Sequence, residues 1–160
     1  MPRKIAFSND HAAVEQRPAI LDYLKKHGYE VVDFGAATAD SVDYPDFAAP
    51  AVRALQAGEV DAAILMCGSG IGMSMAANRY RGVRCALATD LFAAEMSRRH
   101  NDANCLALRA RNQPLDLNLK ILETWLATPF EGGRHQRRVE RLDSLNDHST
   151  TFNQSQENQG

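Results

Sequence analysis

An apolar run that leads directly into a glycine-rich turn constrains this chain more than any other feature. Residues 62–73 read AAILMCGSGIGM, and the apolar part is typical of a strand buried on both faces, as in a parallel sheet. Gly68, Gly70 and Gly72 allow a sharp turn and a close approach of the backbone to a ligand. A helix is predicted to follow, and the N–H groups of a first helical turn attract anions. Cys67 therefore stands beside an expected ligand site, since open α/β sheets bind ligands where their strands end.

Strand-like and helical stretches alternate along the rest of the chain. The sequence predicts strands over residues 4–8, 30–35, 61–66, 82–88 and 104–108. Helices are predicted over residues 43–56, 70–78, 91–99 and 114–127, and a further helix ends at residue 26. That first helix either starts at residue 12 and is kinked at Pro18, or starts near Arg17 with Pro18 in its first turn. The alternation predicts an α/β fold, in which helices cover both faces of a parallel sheet.

Polar residues are expected to gather at one edge of this sheet. Right-handed crossovers place the carboxyl ends of all parallel strands at the same edge. Asp10, His11, Cys67 and the turn after Leu108 each follow a strand and are expected there. His100 and the two polar residues after it form a second group, of the kind found at binding sites.

The last part of the predicted domain, residues 130–145, is rich in arginine. Two glycines form a hinge, and the arginines on one face of the helix predicted after it are Arg134, Arg138 and Arg141. This face is either a phosphate clamp that reaches a neighbouring subunit or a solvated surface. In the second case its carboxylate partners would be Glu131, Glu140 and Asp143. Nucleic acid binding is disfavoured, because the cluster has no interleaved aromatic residues and the chain has a net charge of −2.

Composition excludes further classes of function. No apolar run is long enough to span a bilayer, and the first residues lack the apolar segment of a signal peptide. The three cysteines are an odd number, which favours free thiols in a reducing compartment. We therefore expect a cytoplasmic protein without membrane or nucleic acid partners, with one domain over residues 1–146 and a disordered polar tail over residues 147–160.

Cys67 is the candidate reactive cysteine. Cys85 and Cys105 lie in the middle of predicted strands, where a cysteine usually serves as a small buried hydrophobe. The loop beside Cys67 lacks the Gly-Lys-Ser/Thr of a P-loop and the spacing of a dinucleotide fingerprint. Met73 stands where a cysteine-dependent phosphatase places an arginine. We expect no cofactor, and the absence of H-x-H, H-E-x-x-H and paired C-x-x-C patterns predicts no metal site.

Five motifs together resemble one known family. They are SNDHA at residues 8–12, DYPD at 43–46, CGSGIG at 67–72, HNDAN at 100–104 and EGGRH at 131–135. In this order and spacing they are similar to the type B ribose-5-phosphate isomerases, within a wider family that includes galactose-6-phosphate isomerase subunits. Five motifs in register are far more specific than any one of them.

The resemblance implies a Rossmann-like three-layer α/β/α sandwich with a five-stranded parallel sheet, assembled as a homodimer or homotetramer. It implies cofactor-free interconversion of ribose 5-phosphate and ribulose 5-phosphate through an enediolate, with Cys67 as the base and His100 assisting ring opening. The positions that match substrate-binding residues are Asp10, His11, Gly68, Ser69, Gly70, Ile71, Gly72, Asn101, Arg111, Arg134 and Arg138. Some of these, His100 and Asn101 among them, would complete the site of the neighbouring subunit.

Three alternatives stay open at the level of the sequence. The same chemistry can act on another sugar phosphate, such as allose 6-phosphate, galactose 6-phosphate or a tetrose phosphate. A protein with the same site can bind a sugar phosphate without turnover. A cysteine hydrolase would use Cys67 as a nucleophile and release a product of different mass.

Overall fold

A computed structural model describes residues 2–146 of the chain, and within them five parallel strands form one sheet in the order β2-β1-β3-β5-β4. Strands β1–β5 span Lys4–Asn9, Glu30–Asp33, Ala62–Cys67, Cys85–Leu87 and Cys105–Arg109. Helices α1–α6 span Arg17–Lys26, Tyr44–Gln56, Ile71–Ala77, Leu91–Arg99, Leu115–Ala127 and Arg134–Asp143. Short 3₁₀ turns span His11–Ala13 and Ser144–Asn146.

Helices cover both faces of the sheet, so the predicted three-layer α/β/α sandwich is confirmed. Ile64 and Met66 of β3 pack in a core with α1, α4 and α5, whereas Leu65 and Cys67 pack in a second core with α2 and α3. Successive side chains of a strand point to opposite faces, so a continuous apolar run such as β3 supplies both cores. All six residues of β3 are buried, as the sequence predicts for a central parallel strand.

Helix α1 begins at Arg17, with Pro18 in its first turn. Proline is tolerated there because the first N–H groups of a helix have no intrahelical acceptor, whereas inside a helix its ring breaks the pattern. The residues before it form only the short turn His11–Ala13. The second of the two predicted starts is therefore correct.

Strand β4 is shorter than the seven residues predicted at 82–88. Gly82 has a φ of +75°, which an extended strand cannot accommodate. The Asn104 side chain then replaces part of the backbone ladder, since its Oδ1 accepts the Arg84 N–H at 2.8 Å and its Nδ2 donates to the Gly82 carbonyl at 2.9 Å.

The chain order of the strands creates a crevice at the carboxyl edge of the sheet. Strand β1 connects to β2 on one side and lies beside β3 on the other, which is the point where the winding reverses and where ligands bind in such sheets. The loops after β1, β3 and β5 are held together there. Asp10 donates its N–H to the Met66 carbonyl at 3.1 Å, and Ala110 donates to the Cys67 carbonyl at 3.0 Å.

Helix α6 is attached to the rest of the domain by carboxylates that one of the two sequence interpretations pairs with the arginines of this helix. Gly132 and Gly133, with φ of +66° and +55°, turn the chain into it. Glu131 forms an ion pair with Arg99 of α4, and Asp143 pairs with Arg84 at 2.8 Å. The predicted tail, residues 147–160, lies outside the described residues. Within residues 2–146, no helix combines the length and the apolar character needed to cross a membrane.

Candidate active site

A cavity of about 420 Å³ opens at the carboxyl edge of the three central strands. Its walls bring together Asp10, His11, Cys67, Gly68 and Arg111, which come from the loops after β1, β3 and β5. These residues are separated by up to a hundred positions in sequence, and the sheet topology alone makes them neighbours. The gathering predicted for this edge is therefore present.

Cys67 is the last residue of β3 and is only 4% exposed. The Gly70 N–H donates to its Sγ at 3.1 Å, which gives the sulfur a fixed partner when it carries negative charge. The other two cysteines lie elsewhere, on the neighbouring strands β4 and β5. Burial, and then the adjacent Cys85, raises the pKa of Cys105 well above its ordinary value, so this thiol stays protonated.

The loop that follows Cys67 is tightly packed, which explains its glycines. A side chain at Gly72 would lie 2.8 Å from the Tyr44 ring, and one at Gly68 would lie 3.2 Å from Cδ of Arg111. Ser69 accepts the Ile71 N–H on its Oγ at 3.2 Å. The Gly70 N–H donates to Cys67 and the Ile71 N–H to Ser69. Two of the N–H groups that the sequence predicts for an anion are therefore engaged within the loop.

Asp10 and His11 form the wall contributed by β1. Asp10 is 6% exposed and its Oδ1 accepts the Ala12 N–H at 2.9 Å, which caps the turn that carries His11. The Val42 N–H donates to His11 Nδ1 at 3.2 Å. A ring that accepts at Nδ1 carries its proton on Nε2 when neutral, so Nε2 becomes a donor toward a ligand.

Four further cavity residues are not among the predicted site residues, namely Ala12, Tyr44, Arg109 and Asn112. Tyr44 lies in the DYPD motif, for which the sequence alone indicates no role. Arg109 and Asn112 flank Arg111 in the turn after Leu108, which the sequence predicts at this edge as a whole but in which it singles out only Arg111.

Gly70 and Ile71 of the loop do not line this cavity, and the other predicted residues lie in a second group, which is also not part of its walls. His100 ends α4, Asn101 follows it, and Arg134 and Arg138 are exposed on α6. Among the described residues no carboxylate lies within 4.0 Å of either arginine. Arg134 instead donates from Nε to His135 Nε2 at 3.4 Å.

His100 stacks on the buried ring of His135, with the ring centroids 4.2 Å apart and the planes 12° from parallel. Glu131 Oε2 lies 3.7 Å from His100 Nε2 and 3.4 Å from His135 Nε2. Burial, and then the charges of His100 and Arg134, lowers the pKa of His135. A hydrogen bond from Arg99 holds the pKa of Glu131 below its ordinary value.

This stacked cluster was not predicted from the sequence, because His100 is 31 positions away from Glu131. Its three ligand-type atoms lie within 4.8 Å of one another. The two rings are nearly parallel, however, so their nitrogen lone pairs run side by side and do not meet at one point. Arg99 and Arg134 add positive charge beside the cluster. The arrangement is better suited to orienting His100 than to holding a cation.

Comparison with known proteins identifies the family. The model of the ribose/galactose isomerase family matches residues 5–142. The chain belongs to this family. Ribose-5-phosphate isomerase B of Escherichia coli K12 is 41% identical over 143 residues, which cover 89% of this chain and 96% of that protein.

Solved structures of isomerases of this family have the same architecture. Clostridium thermocellum ribose-5-phosphate isomerase B is 48% identical and superposes with a TM-score of 0.87, covering 89% of this chain and 96% of that one. The Trypanosoma brucei type B enzyme is 40% identical with a TM-score of 0.86, covering 90% and 99%. The family predicted from the five motifs is thus confirmed. Both groups of candidate residues lie within the region that the family model matches.

Proposed function

We propose that this protein is a cofactor-independent aldose–ketose isomerase that interconverts ribose 5-phosphate and ribulose 5-phosphate. The observation that carries the proposal is Cys67, held at the floor of a strand-end cavity with its sulfur oriented by the Gly70 N–H. Relatives named ribose-5-phosphate isomerase B align over nearly their whole length. The free cysteines favour a reducing cytoplasm as the place of action.

The reaction requires one base that moves a proton between adjacent carbons. The Cys67 thiolate takes the proton from C2 of the open-chain aldose, and the electron pair of that C–H bond forms the C1–C2 double bond of an enediolate while the π pair of the C1 carbonyl moves onto O1. The thiol then returns the proton to C1, while a proton passes from O2 to O1. Atoms and electrons balance, since the aldose is only rearranged into the ketose.

Substrate positioning is assigned to the loops around Cys67. His11 Nε2 and the Arg111 guanidinium are donors at the mouth of the cavity, and Asp10 is the acceptor beside them. Gly68, Ser69 and Gly72 of the loop line the cavity and are assigned to contact the reacting carbons, and Gly70 and Ile71 hold the shape of the loop through their N–H groups. Phosphate gives binding energy that orients those carbons, and exposed arginines without carboxylate partners suit it.

The second group of residues supports a site shared between two copies of the chain. His100, Asn101, Arg134 and Arg138 do not line the Cys67 cavity within one chain. We infer that a second copy brings them to the cavity, where His100 assists ring opening and the arginines hold phosphate. Exposed apolar side chains are available for such an interface, including Phe92 at 73% and Met75 at 64% exposure. A homodimer or homotetramer follows.

A second candidate keeps the chemistry and changes the sugar. The family description includes galactose as well as ribose, so a hexose phosphate such as galactose 6-phosphate or allose 6-phosphate is the substrate in this alternative. A tetrose phosphate is equally compatible with the base and the loop. Simple sugar-phosphate binding without turnover is a third candidate, which isotope exchange excludes or establishes.

The test is a panel of phosphorylated pentoses, tetroses and hexoses incubated in deuterated water and followed by NMR. We expect ribose 5-phosphate to take up deuterium at the carbon that accepts the returned proton and to convert into ribulose 5-phosphate. Cys67→Ala removes the base, so turnover falls by about 10³-fold or more while binding of the phosphorylated sugar survives. Cys85→Ala, on a different strand, is the matched control and retains activity.

Each alternative has its own outcome in this experiment. Near-normal turnover by Cys67→Ala refutes the assignment of the base. Tight binding without deuterium uptake establishes a binding protein, and faster exchange with a hexose or tetrose phosphate assigns the other substrate. A product of changed mass indicates a hydrolase.

A further inference from the structure

Arg109 lines the Cys67 cavity but has no part in the mechanism given above. It is the last residue of β5 and pairs in register with Cys67 on the neighbouring strand. Side chains alternate along a strand, so Arg109 shares a face with Cys105 and Ala107, which pack in the same core as Cys67. The guanidinium and the sulfur therefore project from adjacent strands toward the same side of the sheet.

The charge of Arg109 has no carboxylate partner. Within residues 2–146 no Asp or Glu oxygen lies within 4.0 Å of it, whereas Arg84 and Arg99 are each paired with two carboxylates. Nη2 donates to the Asn112 carbonyl at 3.0 Å. Nε is buried and has no acceptor among the described residues.

An enclosed donor on a half-buried cation is uncommon in a folded protein. Buried N–H groups are almost always hydrogen-bonded, and Nε is an exception that no atom in the cavity can reach. Because Arg109 lines the cavity, a ligand oxygen there would meet the terminal nitrogens of the same guanidinium. Arginine keeps its proton at every accessible pH, so this donor cannot be relieved by losing charge.

The cavity also needs such a donor. An enediolate carries negative charge on two oxygens, and fixed donors stabilise it. The Gly70 N–H is directed at Cys67 Sγ and the Ile71 N–H at Ser69 Oγ. Part of the loop backbone is thus engaged before any substrate arrives.

We propose that Arg109 is a substrate-binding residue that donates to the oxygens of the two reacting carbons and stabilises the enediolate. This inference rests on the proposed isomerase function. Arg109 acts by charge and hydrogen bonding, and the proton that moves between the carbons is carried by Cys67. The phosphate end of the sugar lies away from it, toward the arginines of the second group.

The test compares two ligands that share a phosphate and differ at the reacting end. A four-carbon phosphorylated hydroxamate has a planar, charged head that copies the enediolate, whereas ribitol 5-phosphate has only hydroxyl groups there. By calorimetry we expect Arg109→Met to weaken hydroxamate binding about 100-fold and ribitol 5-phosphate binding less than about threefold. In kinetics kcat falls about 100-fold, with KM changed less than about threefold.

Two further variants separate this role from a loss of folding. Arg53→Met removes an exposed guanidinium from α2 and is expected to leave binding and turnover unchanged. Arg109→Gln keeps a polar side chain but loses the charge, and it is expected to discriminate between the two ligands as Arg109→Met does. Thermal unfolding followed by circular dichroism shows that each variant is folded.

Equal weakening of both ligands would overturn the proposal, because Arg109 would then hold a part that the two share. Unchanged hydroxamate binding would overturn it as well. Failure of the isomerase function gives a different pattern, in which the unaltered protein produces no deuterium uptake from any sugar phosphate. The hydroxamate measurement does not depend on turnover, so the two failures are distinguishable.

Discussion

Gly70 meets two separate structural demands. Its φ of +75° lies in the left-handed region, where a side chain is strained. A Cβ at this position would also lie 2.5 Å from Leu87 Cδ1 and 3.1 Å from the Leu108 carbonyl oxygen. Gly82 has the same φ, but no heavy atom lies within 4 Å of the place its Cβ would occupy. A side chain at Gly82 would therefore meet backbone strain alone, whereas one at Gly70 would meet both strain and a steric clash.

Substitution of each glycine by alanine measures the two costs. We expect Gly82→Ala to lower the free energy of unfolding by about 1 kcal/mol, through backbone strain alone. Gly70→Ala adds the collision with Leu87, for a total loss of about 3 kcal/mol. Gly70→Ala also displaces the N–H that faces Cys67, so its turnover falls while that of Gly82→Ala does not. Urea unfolding provides both free energies, and equal losses would mean that Leu87 moves aside without cost.

The residue types and their order along the chain were enough to predict most of the residues that line the cavity. The CGSGIG motif predicted the strand-to-loop turn at Cys67, and DH at the end of β1 predicted Asp10 and His11 beside it. The orientation of the His11 ring could not be predicted from the sequence, since it depends on an N–H from Val42, 31 positions later. The sequence also could not predict that Arg109 has no carboxylate partner among the described residues. An unpaired cation is a property of the folded surroundings, and one sequence shows only which charges exist.

At the scale of elements, the attachment of α6 to the carboxyl end of α4 decides what the arginine-rich helix can do. The sequence predicted this helix and its glycine hinge but left its carboxylates as partners of the arginine face. In the structure Glu131 and Asp143 pair with arginines from outside the helix, and Glu140 accepts a hydrogen bond from Gln136. His135 and Val139, four positions apart, form its buried side. Helical periodicity alone could not show which face of α6 would be buried, because most residues of this helix are polar.

The His100–Glu131–His135 cluster predicts that stability depends on pH. The folded state lowers the pKa of His135 from about 6.5, so below that pH the unfolded chain binds a proton that the folded chain resists. Stability therefore falls as the pH falls through this range. The lowered pKa of Glu131 acts only further down, below about 4.5, where its stabilising contribution is lost on protonation. Unfolding midpoints measured between pH 7.5 and 5.5 thus report on His135 without a contribution from Glu131.

Two substitutions test the sign of this effect. His135→Gln removes the titrating group, so we expect a flatter decline of the midpoint from pH 7.5 to 5.5, whatever the midpoint itself becomes. Glu131→Gln removes the negative charge that favours a protonated His135, so we expect a steeper decline. A decline that is identical in all three proteins would assign the pH dependence to other groups.

At the scale of the whole molecule, the order β2-β1-β3-β5-β4 explains why one group of candidate residues meets and the other does not. The carboxyl ends of β1, β3 and β5 are adjacent, and a sequence of alternating strands and helices is sufficient to predict that edge. His100 lies instead at the end of α4, against α6. In the assembly that we propose, contacts between copies of the chain bring it to Cys67, and periodicity within a single chain carries no information about such contacts.

A site shared between copies predicts that two inactive variants restore activity when they assemble together. Cys67→Ala lacks the base, and His100→Ala lacks the group supplied to the neighbour. In a mixed dimer one cavity has Cys67 from one chain and His100 from the other, and is complete. Random pairing makes half of the dimers mixed, each with one intact site, so we expect about one quarter of the unaltered activity. Co-expression with two affinity tags, followed by an isomerisation assay, measures it.

The matched control pairs two substitutions from the same cavity. Cys67→Ala with Arg111→Met leaves every cavity of a mixed dimer with one defect, because both residues line the same pocket of one chain. This pair is expected to show no activity beyond the average of its two parents. Recovery in both combinations would indicate contamination with the unaltered protein. Recovery in neither, with mixed dimers isolated, would place His100 and Cys67 in separate functions and return the ring-opening step to groups within one chain.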